Sequence, residues 1–346
     1  MTAGPSAPGP AGLRASLAHG DAPALGDRIY TTAITGFALL IPALLVLLAV
    51  AILLAAAPAL GRAGLSFITS STWDVGRGQF GAAPAIYGTV VSSAIALVLA
   101  TPLALGVAIF LSEIAPAWLR QPVAFLVDLL AAVPSVVYGL WGIFFLVPLL
   151  RESVAPFLAD TLGLGATPLF SGPNYGYSML AAGVILAIMI LPYISAVTRE
   201  VLMAVPRAQR DAALALGATR WEMIKDAVIP YAKSGIIGAI ILGLGRALGE
   251  TMAVTMVIGN RPEISASLLS PGYTMASLIA NEFTEATNDL HLSALMAVGA
   301  VLFATTLIVN AIARWLVWQV GRGPRTPGPP RGARGTPPVA LRTGGR

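Results

Sequence analysis

The chain has no cysteine, so disulfide bonds and thiolate chemistry are excluded, although this does not identify a compartment. It has only two histidines, His19 and His291, which stand far apart and match no zinc-binding spacing. Its only two lysines, Lys225 and Lys233, do not follow a glycine, so the chain lacks a Walker A motif. No nucleophile–base arrangement is recognisable either. We therefore expect a chain that is not an enzyme and holds no metal or cofactor; any ATP hydrolysis is expected on a separate subunit.

Charged residues are also scarce. They form 11% of the chain, against about a quarter of a soluble domain, while 56% of the residues are hydrophobic and the mean hydropathy is +0.80. This composition predicts a polytopic membrane protein whose helices pack against one another in lipid. The net charge of +5 comes from basic residues that are scattered or lie in tails and loops. Since no basic face carries interleaved aromatic residues, we expect no nucleic-acid binding.

Runs without charge mark the candidate membrane spans, each of which needs about 20 apolar residues. Six candidate spans result, near residues 31–57, 86–112, 121–150, 177–197, 234–259 and 291–317. The third contains Asp128, the fifth contains Arg246 and Glu250, and the sixth contains Arg314 near its end. The first run is too long for a signal peptide and follows a long tail, so we expect it to be retained. The predicted fold class is an all-α membrane protein with six transmembrane helices.

The distribution of Lys and Arg predicts the orientation, because these residues are enriched in cytoplasmic segments. With the N-terminus inside, 16 of the 21 basic residues lie in inner segments, four lie in outer loops and Arg246 lies within the membrane. We therefore expect a multi-pass protein of the cell (inner) membrane, in contact with membrane lipid, with both termini cytoplasmic.

The composition also predicts four regions along the chain. Residues 1–28, rich in Ala, Pro and Gly, and residues 319–346, rich in Arg, Pro and Gly, are predicted to be disordered cytoplasmic tails. Residues 29–85 hold the first transmembrane helix and an outer loop. Residues 86–318 hold the remaining transmembrane domain.

A charged segment between the fourth and fifth spans, residues 199–233, forms what we call the docking loop. Its alanine-rich first half predicts a helix that ends at Gly217. Thr219 is placed to cap a second helix, 220–228, and Pro230 is expected to stop that helix. The apolar residues available to enter a partner's groove are Leu214, Leu216, Trp221, Met223 and Ile224. On residue chemistry alone, a basic loop that only sets topology is an equally good interpretation.

The order of residues in the docking loop resembles the EAA motif of ABC-importer permeases. Asp211 stands where the motif has glutamate, Ala227 where it has isoleucine and Ile229 where it has leucine. Aspartate keeps the charge but has a shorter reach, so no particular salt bridge is carried over. The resemblance implies the type I ABC importer permease fold, with the docking loop as a cytoplasmic coupling helix seated in an ATP-binding subunit. The residues it assigns to this coupling are Asp211, Ala212, Ala213, Gly217, Trp221 and Pro230.

Four further runs resemble the phosphate-specific ABC permeases of the PstC type, namely residues 70–73, 134–139, 244–255 and 281–283. The resemblance extends over most of the chain. It implies a subunit that translocates inorganic phosphate and pairs with a homologous permease subunit as a heterodimer. Its further implied partners are a dimer of ATP-binding subunits and an extracytoplasmic phosphate-binding protein. A permease for another oxyanion, such as sulfate or molybdate, is one alternative; a secondary transporter or channel is a more distant one.

Arg246 and Glu250 are charged residues inside the fifth predicted span, where a charge costs about 2.5–3.5 kcal/mol and usually faces a polar pathway or a partner. Four residues apart, they are predicted to share one helix face, on which the arginine fork suits phosphate oxygens. The resemblance implies that both line the phosphate route between two permease subunits. An ion pair that only fixes helix packing is the alternative. In the same span, the small residues Gly235, Ala239 and Gly243 predict close approach of another helix.

Three other features of the sequence give further predictions. Asp128, about two turns into the third predicted span, is expected to reach the interface or to pair with another helix. Pro134 is expected to kink that span. The acidic outer loop, residues 261–290, either receives a binding protein or is simply solvated, and both interpretations stay open.

Overall fold

The computed structural model of the chain describes residues 25–320. The two predicted tails lie outside the described residues except at their inner ends. There, Leu25 already begins the first helix and Val320 ends the last.

Within this range the chain is helical apart from its loops and one short hairpin. The helices are α1 (Leu25–Ala63), α2 (Ser66–Thr69), α3 (Ala83–Ile114), α4 (Ala117–Ala132), α5 (Ser135–Thr161), α6 (Met179–Met203), α7 (Arg207–Ala215), α8 (Arg220–Gly249), α9 (Met252–Val257), α10 (Met275–Glu282) and α11 (Asp289–Val320). Strands β1 (Trp73–Asp74) and β2 (Gln79–Phe80) pair antiparallel. Six helices, α1, α3, α5, α6, α8 and α11, are long and apolar enough to cross a membrane, so the predicted six-span, all-α fold is confirmed.

The described chain divides into two compact units, one that reaches to Leu54 within α1 and one that starts at Ala55. In the first unit, the most apolar stretch of the helix has no buried residue. Such an uninterrupted apolar surface suits contact with lipid, because an α-helix satisfies its backbone hydrogen bonds internally.

Helix α6 forms the centre of the second unit, and 61% of its most apolar stretch is buried. It packs most extensively against α3, which presents a ladder of alanines that are fully buried, Ala96, Ala100 and Ala104. On the α6 side, a Cβ added at Gly183 would lie 2.4 Å from Ile95. Small residues at four-residue intervals therefore bring these two helices into close contact.

The predicted small-residue row of the fifth span also lies against α6. A Cβ at Gly235 would lie 2.4 Å from Val201, and one at Gly243 would lie 2.6 Å from Ile194. Ala239, between them, is fully buried. The close approach that this row predicts is confirmed, and it fixes α8 along α6.

The third predicted span, 121–150, is wrong as a single helix, because the chain breaks between α4 and α5 at Val133 and Pro134. Val133 is extended, with ψ at 128°. A proline disfavours the helical conformation in the residue before it and has no N–H of its own. Two tyrosine hydroxyls then satisfy the last carbonyls of α4: Tyr138 donates to Leu130 at 2.7 Å and Tyr193 to Ala131 at 3.3 Å.

The two pieces of this span run along successive halves of α6. Helix α4 lies beside the C-terminal half, where Asp128 of α4 and Arg199 of α6 line one cleft of about 460 Å³. Helix α5 lies beside the N-terminal half, where a Cβ on Gly142 would be 3.2 Å from Ile185. Asp128 is therefore exposed on a separate helix rather than two turns into a continuous span.

The fifth predicted span, 234–259, is also broken. Helix α8 ends at Gly249, Glu250 is extended with ψ at 129°, and α9 starts at Met252. Glycine is a weak helix former, and Thr251 donates its hydroxyl to the carbonyl of Gly249 at the end of α8. Arg246 is thus in the last turn of α8 and Glu250 lies just beyond it, so the prediction that both charges sit in the middle of a helix is wrong.

Two smaller cores mark the ends of α3. One, which we call the hairpin end, joins the start of α3 to the β-hairpin, α10 and α11 through residues that include Phe80 and Met275. The other, the docking end, joins the last turns of α3 to the docking loop through residues that include Ala108, Leu202 and Ile224. Helix α6 runs between the same two ends in the opposite direction.

Candidate functional site

The guanidinium of Arg246 lies over the ring of Tyr193, with its Cζ 4.7 Å from the ring centroid. Tyr193 is 14 residues after Met179 and 10 residues before Met203, so it lies near the middle of α6. Arg246 is therefore held near the middle of the bundle, by a cation–π contact that strengthens where water is excluded. The sequence predicted the arginine; it did not predict the tyrosine beneath it, although an aromatic ring directly after Pro192 in an apolar helix is a signal for such a contact.

Glu250 accompanies this arginine without a direct hydrogen bond. Its Oε2 lies 3.9 Å from the Nη2 of Arg246, within ion-pair range but beyond hydrogen-bond range. The Glu250 side chain is 9% exposed and that of Arg246 is 37% exposed. The structure brings the predicted pair together, but across a helix end. The guanidinium keeps donors that a ligand can use, and the carboxylate limits the net positive charge.

The arginine opens into a cleft of about 610 Å³. The residues that line it are Tyr193, Ile241, Leu242, Gly245, Arg246, Gly249, Glu250 and Asn310. A Cβ added at Gly245 or Gly249 would meet nothing within 4 Å, so these glycines leave the cleft wide beside the charge. The Asn310 amide donates to the carbonyl of Thr306 at 2.9 Å. The sequence-based predictions did not include Asn310, although an amide in an otherwise apolar span is a signal for a polar cleft.

Electrostatics at this cleft are balanced rather than strongly positive. The C-terminal carbonyls of a helix carry about half a negative charge, which favours a cation in the last turn, as found for Arg246 in α8. The carboxylate of Glu250 adds a full negative charge nearby. The two negative contributions offset the charge of the guanidinium, so an anion that enters meets one planar, multidentate donor group without a net positive field to retain it, which permits both binding and release.

The two helices that follow the breaks, α5 and α9, make one tight contact. A Cβ added to Gly139, in α5, would lie 2.4 Å from the sulfur of Met256, in α9, and 3.2 Å from Ala253. The runs 134–139 and 244–255, which are far apart in the sequence, therefore meet next to the cleft. Close packing explains why a glycine stands at position 139.

The docking end shows the predicted local structure in part. Helix α7 is followed by Gly217 at φ +87°, a conformation that favours glycine. Thr219 and Glu222 form a reciprocal capping box at the start of α8. Pro230 does not stop that helix, contrary to expectation. A π-helical stretch, Met223–Val228, precedes the proline, and such a local change of helix type lets a membrane helix continue past it.

The predicted coupling residues lie mostly on the surface. Asp211, Ala212 and Trp221 are exposed, and Ala213 is half-buried against the core of the docking end. The prediction of which apolar residues are available to enter a partner's groove needs one correction. Met223 and Ile224 are buried in that core, which also contains Ala108 of α3 and Leu202 of α6. The exposed apolar group therefore consists of Leu214, Leu216 and Trp221.

The runs 70–73 and 281–283 meet at the hairpin end. Trp73 Nε1 donates to Glu282 Oε2 at 2.8 Å, and His291 Nε2 lies 2.9 Å from the same oxygen. Beside them, Asn281 donates to the hydroxyl of Tyr273 at 2.8 Å, and burial raises the pKa of this tyrosine to about 12. The group forms a rigid connection between the hairpin, α10 and α11.

Comparison with known sequences gives consistent matches. Residues 100–321 match the family described as "Binding-protein-dependent transport system inner membrane component". The phosphate transport system permease protein PstC of Mesorhizobium japonicum is 46% identical over 86% of this chain and 91% of its own length. The protein of the same name from Xylella fastidiosa (strain 9a5c) is 46% identical over 85% and 90%. PstC 2 of Mycobacterium tuberculosis is 41% identical over 84% and 91%.

Solved structures share the fold at low sequence identity. A chain of the bacterial alginate ABC transporter, solved with an alginate-bound periplasmic protein, is 16% identical, with a TM-score of 0.56 over 86% of this chain and 99% of that chain. A chain of the inward-facing MetNI methionine ABC transporter is 16% identical, with a TM-score of 0.50 over 68% and 94%. At these identities the likeness establishes the type I importer permease fold.

Proposed function

Because the chain belongs to the family of inner membrane components of binding-protein-dependent transport systems, we propose that it is the permease subunit that carries inorganic phosphate in an ATP-driven importer. We assign phosphate as the substrate because the chain is 41–46% identical, over more than four fifths of its length, to permeases named for phosphate transport. The cleft supports this assignment, because it offers an arginine fork to an oxyanion in the middle of the bundle.

In this proposal Arg246 binds the anion during its passage. Tyr193 supports one face of the guanidinium, so the side chain is positioned before the anion arrives. Glu250 is too distant for a hydrogen bond to Arg246 and leaves its donors available. The carboxylate also repels the phosphate, and this prevents a stable complex that would block transport. The open side of the cleft, at Gly245 and Gly249, faces a second, homologous permease subunit, with which the chain forms a heterodimer.

The docking loop is proposed to connect this subunit to its energy source. The exposed Leu214, Leu216 and Trp221 form an apolar group that suits a groove on an ATP-binding subunit, of which the complex holds a dimer. The docking end and both termini are then cytoplasmic. The hairpin end faces outward, where an extracytoplasmic phosphate-binding protein delivers its ligand. Closure of the ATP-binding subunits moves the docking loop and switches access to the cleft.

Uptake of radiolabelled phosphate tests the proposal in cells that lack this chain. We expect the native gene to restore uptake. Arg246→Lys keeps the charge but loses the planar fork, and we expect it to restore about a tenth of native uptake or less. Arg261→Lys is the matched control, since Arg261 is 53% exposed in a loop, and we expect native uptake from it. All variants must be present at equal levels in the membrane.

The possible results separate the substrate from the site. If the native chain does not restore phosphate uptake but does restore uptake of sulfate or molybdate, the substrate is wrong and the permease assignment stands. If Arg246→Lys supports native phosphate uptake at native expression, Arg246 is not a contact of the transported anion. Copurification of the native chain with an ATP-binding subunit tests the energy source separately.

A further inference from the structure

Arg210 joins three elements at the docking end. Its Nε and Nη2 donate to the two carboxylate oxygens of Glu113, in the last turn of α3, at 3.2 and 2.8 Å. Its Nη2 also donates to the carbonyl of Leu202, in the last turn of α6, at 2.8 Å, and its Nη1 donates to that of Val205, two residues beyond the end of α6. One guanidinium on α7 therefore contacts the C-terminal ends of both α3 and α6.

This contact is sheltered, unlike the other charged contacts of the docking loop. The Glu113 side chain is 7% exposed and that of Arg210 is 18% exposed, whereas Arg199 pairs with a Glu200 side chain that is 67% exposed. A paired arginine that also satisfies backbone carbonyls has a defined geometry, because its fork is planar. Lysine has one compact ammonium group and cannot reach a carboxylate and two carbonyls in the same directions.

The elements that Arg210 joins also lead to the cleft. Leu202 is nine residues from Tyr193 along α6, or about 13 Å at the rise of an α-helix. Between them, α6 is held by the tight contacts with Gly235 and Gly243 of α8. Tyr193 in turn lies under the guanidinium of Arg246. Closely packed residues thus connect α7 to the middle of the bundle, and a displacement of α7 can be transmitted along them.

We propose that Arg210 is a positioning residue that fixes the docking helix α7 to α3 and α6, so that movement of the docking loop reaches the Arg246 cleft. The inference rests on the proposed function, in which an ATPase moves that loop. Arg210 does not touch the substrate. Its role is to keep α7, α3 and α6 moving as one body, and without it ATP hydrolysis continues with little transport.

The main experiment uses the complete transporter, reconstituted in vesicles with its phosphate-binding protein. Glu113→Gln keeps the shape of the side chain and removes its charge, and Arg210→Lys keeps the charge and removes the fork. Arg207→Gln is the matched control, since Arg207 is exposed on the same helix. Both ATP hydrolysis and phosphate entry are measured, and the ratio of the two is compared.

We expect both test variants to assemble with the ATP-binding subunits and to consume about tenfold more ATP per phosphate moved than the native complex, while Arg207→Gln keeps the native ratio. A residue that only stabilises the loop would lower the amount of complex, and both rates would fall together. An unchanged ratio in Glu113→Gln and Arg210→Lys would therefore overturn the proposal. If Arg210→Lys fails to assemble, the ratio of ATP consumed to phosphate moved in Glu113→Gln alone tests the proposal.

A second measurement does not depend on phosphate. Because the chain has no cysteine, spin labels can be attached at Gln209→Cys in α7 and at Val98→Cys in α3, with the other subunits made cysteine-free. In the otherwise native chain we expect the same label-to-label distance without nucleotide and in the vanadate-trapped state. With Glu113→Gln added, the distance should change between the states. A change of equal size in the otherwise native chain would refute joint movement even if phosphate is not the substrate.

Discussion

At the scale of single residues, Glu282 connects three parts of the hairpin end through one carboxylate oxygen, which Trp73 and His291 both contact. The ring of His291 also stacks on Phe80, with centroids 5.5 Å apart and an interplanar angle of 11°. The contacts therefore tie the hairpin to α10 and α11 through both polar and aromatic surfaces. Neither a histidine motif nor the spacing of charges predicts this group, because Trp73 and Glu282 are 209 residues apart in the sequence.

Substitution of Glu282 by glutamine should destabilise the hairpin end. The glutamine amide has the same shape, but it removes the charged oxygen that accepts hydrogen bonds from Trp73 and His291. We therefore expect the free energy of unfolding to fall by about 1–3 kcal/mol. Thermal unfolding of the purified protein, followed by tryptophan fluorescence, measures this loss. Glu285→Gln is the control, since Glu285 is exposed, and it should unfold at the native temperature. Equal unfolding temperatures for both variants would show that the carboxylate contributes nothing there.

Arg246 and Glu250 could be predicted as single residues, because charge stands out in an apolar run. Their relative geometry could not, since it depends on where α8 ends. The run Gly249-Glu250-Thr251 contains a weak helix former and a hydroxyl that competes for backbone carbonyls, and this is the signal for the break. Tyr193 stands out in the sequence only as an aromatic residue after Pro192, and neither its contact with Arg246 nor that of Arg210 with Glu113 could be predicted, because each contact joins two different helices.

At the scale of helices, glycines on α8 have two different roles that the sequence does not distinguish. Gly243 faces Ile194, which is fully buried, and a Cβ there would be only 2.6 Å away. Gly245, two residues later, faces the open cleft and has no atom within 4 Å of the same position. The first glycine permits helix packing, and the second keeps space beside Arg246.

This difference predicts opposite effects of the same substitution. Gly243→Ala and Gly245→Ala each gain about 1 kcal/mol of intrinsic helix preference, so their comparison isolates the steric contact. We expect Gly243→Ala to be less stable than Gly245→Ala by about 1–3 kcal/mol, the usual cost of overpacking. Thermal unfolding in detergent measures the difference. If Gly245→Ala proves the less stable of the two, Gly243 is not the residue that limits how closely α8 packs on α6.

At the scale of the whole molecule, six helices follow from hydropathy because length and apolar composition suffice to predict a membrane span. Hydropathy does not reveal the helix breaks at Pro134 and Glu250. Hydropathy averages over about 19 residues, and an interruption of two residues changes that average little. The central place of α6 also depends on packing among all helices, which no single run of residues specifies.

The orientation of the molecule can be tested by labelling with a membrane-impermeant maleimide. Because the chain lacks cysteine, single substitutions report without background. We expect Arg77→Cys, in the exposed hairpin, to react in intact cells, and Ala215→Cys, at the end of α7, to react only after the membrane is opened. Both variants should restore phosphate uptake before they are compared. The reverse pattern would place the docking end outside and contradict the proposed coupling to ATP.

The break between α4 and α5 also has a consequence for how the protein is made. Helix α4 has 16 residues and is about 24 Å long, which is less than the roughly 30 Å thickness of the hydrocarbon layer. One of its terminal carbonyls, that of Ala131, is satisfied by the hydroxyl of Tyr193, which is synthesised 62 residues later. The carbonyl of Ala131 therefore lacks this partner until α6 has been synthesised. The segment reaches its final place only when α6 enters beside it, so the biogenesis of the third span ends with that of the fourth.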